Sequence, residues 1–180
     1  ARVLVLAGEG DVSFCAGGDI SEFDQMRSNS DNALNYDKKA LEFFDLLYNI
    51  EKPTIAMIHG HCLGGGLALA VSCDIRICSK EAQFAIPAAR LGLGYDVELM
   101  KRVIELVGPS YAKEMIYTAD RYNADDALKM GLVNKVKPKS ILEQFVIEYT
   151  ISIAKNAPLS LKSAKIITSE LSRIPSERNM

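Results

Sequence analysis

One glycine-rich stretch in the first half of the chain decides the fold. It reads Gly60-His61-Cys62-Leu63-Gly64-Gly65-Gly66-Leu67-Ala68-Leu69-Ala70. An apolar run at residues 54–58 precedes it, so the pattern predicts a short strand, a glycine turn and then an Ala/Leu helix. Glycine is required where φ is positive or where a ligand must reach the main chain. Free N–H groups at such a turn can hold a negatively charged oxygen, either of a phosphate or of a developing enolate.

The composition is that of one globular domain. The chain has 180 residues, of which 48% are hydrophobic and 24% are charged, which suffices for a sizeable core. A net charge of −2 gives no indication of general nucleic-acid binding. No apolar run is long enough to span a bilayer. From the net charge and from the lack of such a run, we expect neither a nucleic-acid nor a membrane partner.

The cysteine pattern indicates a reducing compartment. The four cysteines are Cys15, Cys62, Cys73 and Cys78, and no two of them form a CxxC pair. We interpret them as reduced, buried thiols, which favours a cytoplasmic location.

His59, His61 and Cys62 are contiguous ligands without a second cluster, which is a poor zinc pattern, and so we predict no metal site.

Strand and helix patterns alternate along the chain. Strands are predicted at residues 2–7, 54–58, 74–78, 83–85 and 132–136. Helices are predicted at residues 31–50, 65–72, 98–107, 110–117, 123–130, 139–156 and 159–171. This order predicts a mostly parallel α/β core over residues 1–137 and a helical layer over residues 138–180, which we expect to serve oligomerisation. Residue 1 already lies in a strand pattern and no closing element ends the chain, so we expect truncation at both ends.

A second glycine-rich turn follows the first strand. It reads Gly8-Glu9-Gly10-Asp11-Val12-Ser13-Phe14-Cys15-Ala16-Gly17-Gly18-Asp19-Ile20. One such turn is equally consistent with a tight connection between elements. Two of them, each after a buried strand, predict two sets of backbone donors that converge on one site, which is the geometry of an oxyanion hole.

The motifs together resemble the enoyl-CoA hydratase/isomerase (crotonase) superfamily. The segments that carry the resemblance are Phe14-Cys15-Ala16-Gly17-Gly18-Asp19-Ile20, Lys52-Pro53-Thr54-Ile55-Ala56, Gly60-x-x-x-Gly64-Gly65-Gly66, Cys73-Asp74-Ile75-Arg76, Gly131-Leu132-Val133 and Ala157-Pro158-Leu159. They cover nearly the whole chain in order. A Walker-type phosphate loop is excluded, because no Gly-Lys-Ser/Thr follows the glycines.

The resemblance implies a fold, a substrate and a set of site residues. The implied fold is a spiral of ββα units, assembled as a homotrimer or a hexamer. The implied substrate is an acyl-CoA thioester, with coenzyme A as part of the substrate and no other cofactor. By resemblance, the N–H groups of Gly18 and Gly65 hold the thioester oxygen as it becomes an enolate. The backbone of Ala16, Gly18, Asp19 and Ile20 is then expected to lie along the coenzyme A moiety.

The chain departs from the family pattern at two positions. Typical hydratases carry two glutamates, and the corresponding residues here are Ala68 and Ala88. Addition of water to an enoyl thioester needs a base for water and an acid for the α-carbon. Because alanine supplies neither, the two-glutamate mechanism is excluded for this chain.

Two polar residues remain as candidates for the chemistry. Asp96 aligns with a working aspartate of dienoyl-CoA isomerases, and Tyr95 aligns with a tyrosine of methylmalonyl-CoA decarboxylases. Each has a structural alternative: Asp96 as the N-cap of the next helix, and Tyr95 as a half-buried aromatic with a bonded hydroxyl. We also expect Arg76 to pair with a carboxylate, and Arg90 is considered as a contact for an anionic substrate group.

The sequence therefore predicts an enzyme that acts on an acyl-CoA thioester through an enolate. One route is isomerisation or an unusual hydratase-like activity through Asp96. Another is decarboxylation of a malonyl-type thioester assisted by Tyr95. A non-catalytic acyl-CoA-binding subunit is a third alternative, motivated by Ala68 and Ala88. A relative that cleaves diketones without coenzyme A is a fourth.

Overall fold

The computed structural model describes residues 1–18, 30–173 and 178, and the side chains of residues 30–37 are outside this description. Its strands are β1 (Leu4–Ala7), β2 (Ser13–Cys15), β3 (Thr54–Ile58), β4 (His61–Leu63), β5 (Ile75–Ser79), β6 (Gln83–Ala85), β7 (Tyr122–Asn123) and β8 (Lys135–Lys137). Its helices are α1 (Ser30–Asn49), α2 (Gly65–Val71), α3 (Val97–Thr118), α4 (Ala124–Lys129), α5 (Lys139–Ala154) and α6 (Pro158–Leu171), and a 3₁₀ helix spans Pro87–Leu91. The predicted contacts Asp19 and Ile20 lie outside the described residues.

Consecutive strands belong to two different sheets. The first sheet has the order β1-β3-β5-β8 and is parallel throughout, with Ile55 of β3 opposite Ile75 of β5. The second sheet has the order β2-β4-β6-β7, and only β7 runs antiparallel to its neighbour. Each strand pair is followed by a helix, as in β1-β2-α1, β3-β4-α2 and β5-β6-α3. The predicted spiral of ββα units is confirmed.

Three short strands were not predicted from the sequence. The segments expected to be turns contain β2 and β4, and β7 was also missed, because strands of two or three residues are too short to show alternation. The helices predicted at 98–107 and 110–117 are confirmed, because α3 consists of two helical segments separated by the non-helical Gly108 (φ 75°, ψ 165°) before Pro109. The strand predicted at 132–136 begins later, at Lys135.

Two glycines permit main-chain contact between neighbouring units. A Cβ atom on Gly66 would lie 1.9 Å from the carbonyl oxygen of Cys15, and one on Gly60 would lie 1.9 Å from that of Val12. No side chain fits at such distances, so glycine is required at both positions. The start of α2 is thereby packed directly against the end of β2.

The core has a larger and a smaller part. The larger part fills the space between the two sheets and helices α2, α3 and α4, and includes Phe84 and Met115, both fully buried. The smaller part lies on the other face of the first sheet, where Ile55 and Ile77 pack against Leu142 of α5. The first helix of the predicted C-terminal layer thus packs directly on the sheet, while its role in oligomerisation stays a prediction.

The buried Arg76 does not have the side-chain partner that we expected. Its guanidinium donates to the carbonyl oxygens of Cys73 at 2.6 Å, Leu132 at 2.8 Å and Ala70 at 3.4 Å. Carbonyls at the end of α2 lack intrahelical donors, so a cation satisfies them. The expected carboxylate pairing is therefore wrong. Burial lowers the pKa of Arg76 to about 10, which leaves it charged at neutral pH.

Within the described ranges, no helix is long and apolar enough to cross a membrane. Across those same residues, no group of three or more potential metal ligands comes together.

Candidate active site

The two glycine turns meet at the ends of β2 and β4. A Cβ atom built on Gly65 would lie 3.7 Å from the Cα of Gly17 and 3.9 Å from the amide nitrogen of Gly18. A Cβ atom built on Gly17 would lie 3.9 Å from the amide nitrogen of Gly65. The main chains at Gly18 and Gly65 are therefore neighbours, although 47 positions separate them (65 minus 18).

Backbone conformation explains the glycines of these turns. Gly17 has φ of 115° and Gly64 has φ of 53°, values that residues with a side chain rarely adopt. The N–H of Gly64 donates to the carbonyl of Ala85 at 2.9 Å, which fixes the turn against β6. Gly65 is the first residue of α2, and the first N–H groups of a helix have no acceptor within it.

Apolar side chains occupy the positions at which the hydratase pattern has glutamates. Ala68 lies on α2 and is 1% exposed, and Ala88 lies half-buried on the 3₁₀ helix. Both pack into or against the larger core. Neither position offers a proton donor or acceptor.

Asp96 is the N-cap of α3. Its Oδ1 accepts hydrogen bonds from the N–H groups of Glu98 at 2.8 Å and Leu99 at 3.2 Å. The capping interpretation is confirmed, and the residue is exposed. Its participation in chemistry stays a prediction.

Tyr95 presents a buried hydroxyl without a partner. Its ring packs against the larger core, and its hydroxyl oxygen is buried without a hydrogen bond to any described residue. The alternative of a bonded hydroxyl is therefore wrong. Burial raises the pKa of Tyr95, and the nearby Cys62 and Asp96 raise it further. The hydroxyl remains protonated at neutral pH and can donate a hydrogen bond to a bound group.

The family assignment follows from comparison with known proteins. A family model described as enoyl-CoA hydratase/isomerase matches residues 1–178. This chain belongs to the enoyl-CoA hydratase/isomerase family. It is 41% identical over 162 residues to a short-chain-enoyl-CoA hydratase of Clostridium acetobutylicum, covering 90% of this chain and 61% of that protein. It is 37% identical over 176 residues to a carnitinyl-CoA dehydratase of Proteus mirabilis, covering 95% and 66% of the two chains.

A solved structure agrees in fold. The crystal structure of an enoyl-CoA hydratase/carnithine racemase from Magnetospirillum magneticum matches with a TM-score of 0.92 at 32% identity. The match covers 96% of this chain and 64% of that one. This enoyl-CoA hydratase/isomerase family chain thus spans less than two thirds of the length of these relatives.

The sequence of this enoyl-CoA hydratase/isomerase family member does not show which groups contact three of its polar residues. Arg90 forms an exposed ion pair with Asp120 at 2.8 Å, which gives it a partner other than a substrate. His59 Nε2 and His61 Nδ1 are buried without a hydrogen-bond partner among the described residues. Nothing in the sequence indicates that these two ring nitrogens lack a partner, because only tertiary packing decides which groups lie within hydrogen-bonding distance of them.

A separate cavity lies between α1, α3 and α6. Its volume is about 180 Å³. It is lined by Asp45, Tyr48, Asn49, Glu98, Lys101, Arg102, Glu105, Ser169, Ser172 and Arg173. None of these residues belongs to the glycine turns, so in this member of the enoyl-CoA hydratase/isomerase family the cavity and the candidate active site are distinct.

Proposed function

We propose that this protein binds an acyl-CoA thioester and stabilises its enolate with the N–H groups of Gly18 and Gly65. The observation that carries the proposal is the approach of the two glycine turns, with the Gly18 nitrogen 3.9 Å from a Cβ built on Gly65. Similarity to a short-chain-enoyl-CoA hydratase and to a carnitinyl-CoA dehydratase supports a thioester substrate.

The chemistry needs donors of this kind. When a bond at the α-carbon of a thioester breaks heterolytically, the electron pair moves into the carbonyl and negative charge collects on its oxygen. Fixed N–H groups stabilise that charge without reorganising. One such donor contributes about 3–4 kcal/mol to the transition state.

Decarboxylation of a malonyl-type thioester is the specific reaction that the site chemistry favours. The bond between the α-carbon and the carboxylate breaks, carbon dioxide leaves, and the electron pair forms the enolate. Because no base is needed for this step, Ala68 and Ala88 present no obstacle. The buried hydroxyl of Tyr95 supplies a hydrogen-bond donor for the bound group, and a proton from solvent completes the α-carbon.

Isomerisation through Asp96 is the competing reaction. It requires a carboxylate that removes and returns an α-proton. One oxygen of Asp96 is already engaged in two hydrogen bonds of the helix cap. The second oxygen of this exposed carboxylate is not used by the helix cap and could still act as a base. Substitutions of Asp96 and Tyr95 therefore decide between isomerisation and decarboxylation.

Substitutions at Gly65 test the oxyanion proposal. Proline is tolerated at the first position of a helix, but it removes the N–H. Gly65→Pro is therefore expected to lower turnover by about 100-fold or more with the fold retained. Gly65→Ala is the matched control, because it keeps the N–H and its Cβ meets only ordinary contacts of 3.7 Å or more. Equal activity of the two variants would rule out a role for this donor.

A substrate panel tests the reaction class. Crotonyl-CoA, a 3-enoyl-CoA, a dienoyl-CoA and methylmalonyl-CoA are each offered to the purified protein. Carbon dioxide release from methylmalonyl-CoA that falls in Tyr95→Phe supports decarboxylation. Turnover of an enoyl substrate that is lost in Asp96→Asn and retained in Tyr95→Phe rejects it.

The same panel addresses the non-catalytic alternative, which Ala68 and Ala88 motivate. Binding of a CoA thioester in calorimetry without turnover of any substrate would identify a binding subunit. Absence of thioester binding would reject the proposal as a whole.

We further propose that the protein assembles as a homotrimer or a hexamer and acts in the cytoplasm. Exposed apolar side chains on the C-terminal helices, such as Ile151 at 49% and Ile167 at 50% exposure, support an oligomer. Light scattering coupled to size-exclusion chromatography measures the assembly, and a monomer would contradict it.

A further inference from the structure

Arg102 is a buried cation on α3 that contacts two other helices. It is 6% exposed. Its Nη1 donates to Oγ of Ser72 at 2.7 Å, and its Nη2 donates to the carboxylate of Asp45. The guanidinium also lies over the ring of Tyr48, 4.4 Å from the centroid. Ser72 caps the end of α2, while Asp45 and Tyr48 are on α1, so one side chain joins α1, α2 and α3.

Through Ser72, Arg102 is connected by hydrogen bonds to a residue in the middle of α2. The Ser72 hydroxyl accepts from Arg102 and donates to the carbonyl oxygen of Ala68 at 2.8 Å. Helix α2 has seven residues and begins at Gly65, so it is about 10 Å long at 1.5 Å per residue. A short helix moves as one body, and a shift at Ser72 therefore displaces the N–H of Gly65.

Helix α3 is also connected to proposed site residues. It begins immediately after Tyr95 and Asp96. Of the helices that Arg102 joins, α2 therefore begins at Gly65, and α3 begins directly after Tyr95 and Asp96.

The chemistry of the side chain suits this role. A planar guanidinium donates in several directions at once and stacks on an aromatic ring, which an ammonium group does not do equally well. Arg76 is also buried, and it holds the end of α2 by donating to the main-chain carbonyls of residues 70, 73, 74 and 132. Among the described residues, these hydrogen bonds of its guanidinium reach neither α1 nor α3.

We propose that Arg102 is a positioning residue, which sets the placement of the Gly65 N–H group relative to the Tyr95 hydroxyl by joining α2 to α3 and bracing both against α1. Arg102 itself does not contact the substrate. The inference rests on the proposed function, because it concerns the geometry of that same site.

The test measures how strongly the site polarises a bound carbonyl. The probe is an arylacryloyl-CoA thioester, whose ultraviolet absorption moves to longer wavelength when donors polarise its carbonyl. The shift is recorded at saturating protein, so it does not depend on the fraction that is folded. The variants are Arg102→Lys, Ser72→Ala and Asp45→Asn.

We expect the wild-type shift to shrink in all three variants, most in Arg102→Lys. For a thioester that the wild type turns over, we expect kcat to fall by about 10- to 100-fold with KM changed less than about twofold. Ser72→Ala and Asp45→Asn keep the test valid if Arg102→Lys does not fold, because each removes one contact and leaves the cation.

The matched control is Lys162→Met. It breaks an exposed ion pair with Glu51, at 2.7 Å, and should leave the shift and kcat unchanged. A wild-type protein that binds the probe without a shift, or does not bind it, overturns the proposed function and this inference together. A wild-type shift that persists undiminished in the three variants overturns the role of Arg102 alone.

Discussion

Replacing Tyr95 with phenylalanine should stabilise the protein while it lowers activity. The hydroxyl of Tyr95 is buried, and no described residue hydrogen-bonds to it. Phenylalanine keeps the ring and its packing against the core, and removes only the hydroxyl group that lacks a hydrogen-bond partner. A group retained at the expense of stability is typical of a functional site.

The size of the effect follows from the burial of the hydroxyl. A buried polar group without a partner destabilises a protein by about 1–3 kcal/mol. We expect Tyr95→Phe to raise the free energy of unfolding by about 1 kcal/mol, at the lower end of that range. For a chain of this size the melting temperature then rises by roughly 2–4 °C.

The pH dependence gives the same experiment a second readout. Burial raises the pKa of Tyr95 above its ordinary value of 10.0. The stability that comes from keeping the hydroxyl neutral is present below the unfolded pKa and is lost as pH rises towards the folded pKa. The advantage of Tyr95→Phe over the wild type should therefore grow above pH 10.

Urea denaturation followed by circular dichroism measures the change, with Tyr122→Phe as the matched control. The hydroxyl of Tyr122 is not among the buried polar atoms without a partner, so its removal should not raise the free energy of unfolding. A decrease of more than about 0.5 kcal/mol in Tyr95→Phe would show that its hydroxyl has a partner, and would refute the reasoning.

Three further predictions concern the backbone, the thiols and the cap. Gly66→Ala places a Cβ 1.9 Å from the Cys15 carbonyl oxygen and should destabilise the fold by more than about 3 kcal/mol; a native melting temperature would contradict this. Burial raises the pKa of Cys73 and Cys78 to about 12, so stability present at neutral pH is lost as pH rises from 9 towards 12, by about 1.4 kcal/mol per pH unit for each thiol. A flat urea-denaturation profile between pH 8 and 10 would argue against it. Asp96→Ala should lower stability by about 1 kcal/mol and Asp96→Asn by much less, since asparagine caps helices equally well; equal thermal shifts would count against the cap.

Long periodic segments and glycine turns were well predicted from the sequence. The pattern over 31–50 is the helix Ser30–Asn49, and Asn123 caps α4 by accepting from Asp126 at 2.9 Å. Such features depend on neighbours within one or two turns of chain, so local residue types suffice to predict them. The glycines likewise identified both turns, because positive φ restricts the residue type at Gly17 and Gly64 and close main-chain contact restricts it at Gly66.

The partners of the buried polar groups could not be predicted in this way. The guanidinium of Arg76 reaches Leu132 across 56 positions, and that of Arg102 reaches Asp45 across 57. Both residues were only visible in the sequence as charges in apolar surroundings. A guanidinium can donate to a carbonyl oxygen as well as to a carboxylate, and only the packing of helices decides which one lies within reach.

The amino-acid sequence by itself determined the longer strands and helices, the two glycine turns and the absence of carboxylates at positions 68 and 88. Local sterics and side-chain chemistry are sufficient for each of these. The tertiary structure alone decided that strands of two or three residues pair into a second sheet, how closely the turns at Gly18 and Gly65 approach each other, and that the Tyr95 hydroxyl has no partner among the described residues. These depend on contacts between segments far apart in the chain, whose geometry arises only when both sheets and their helices pack together.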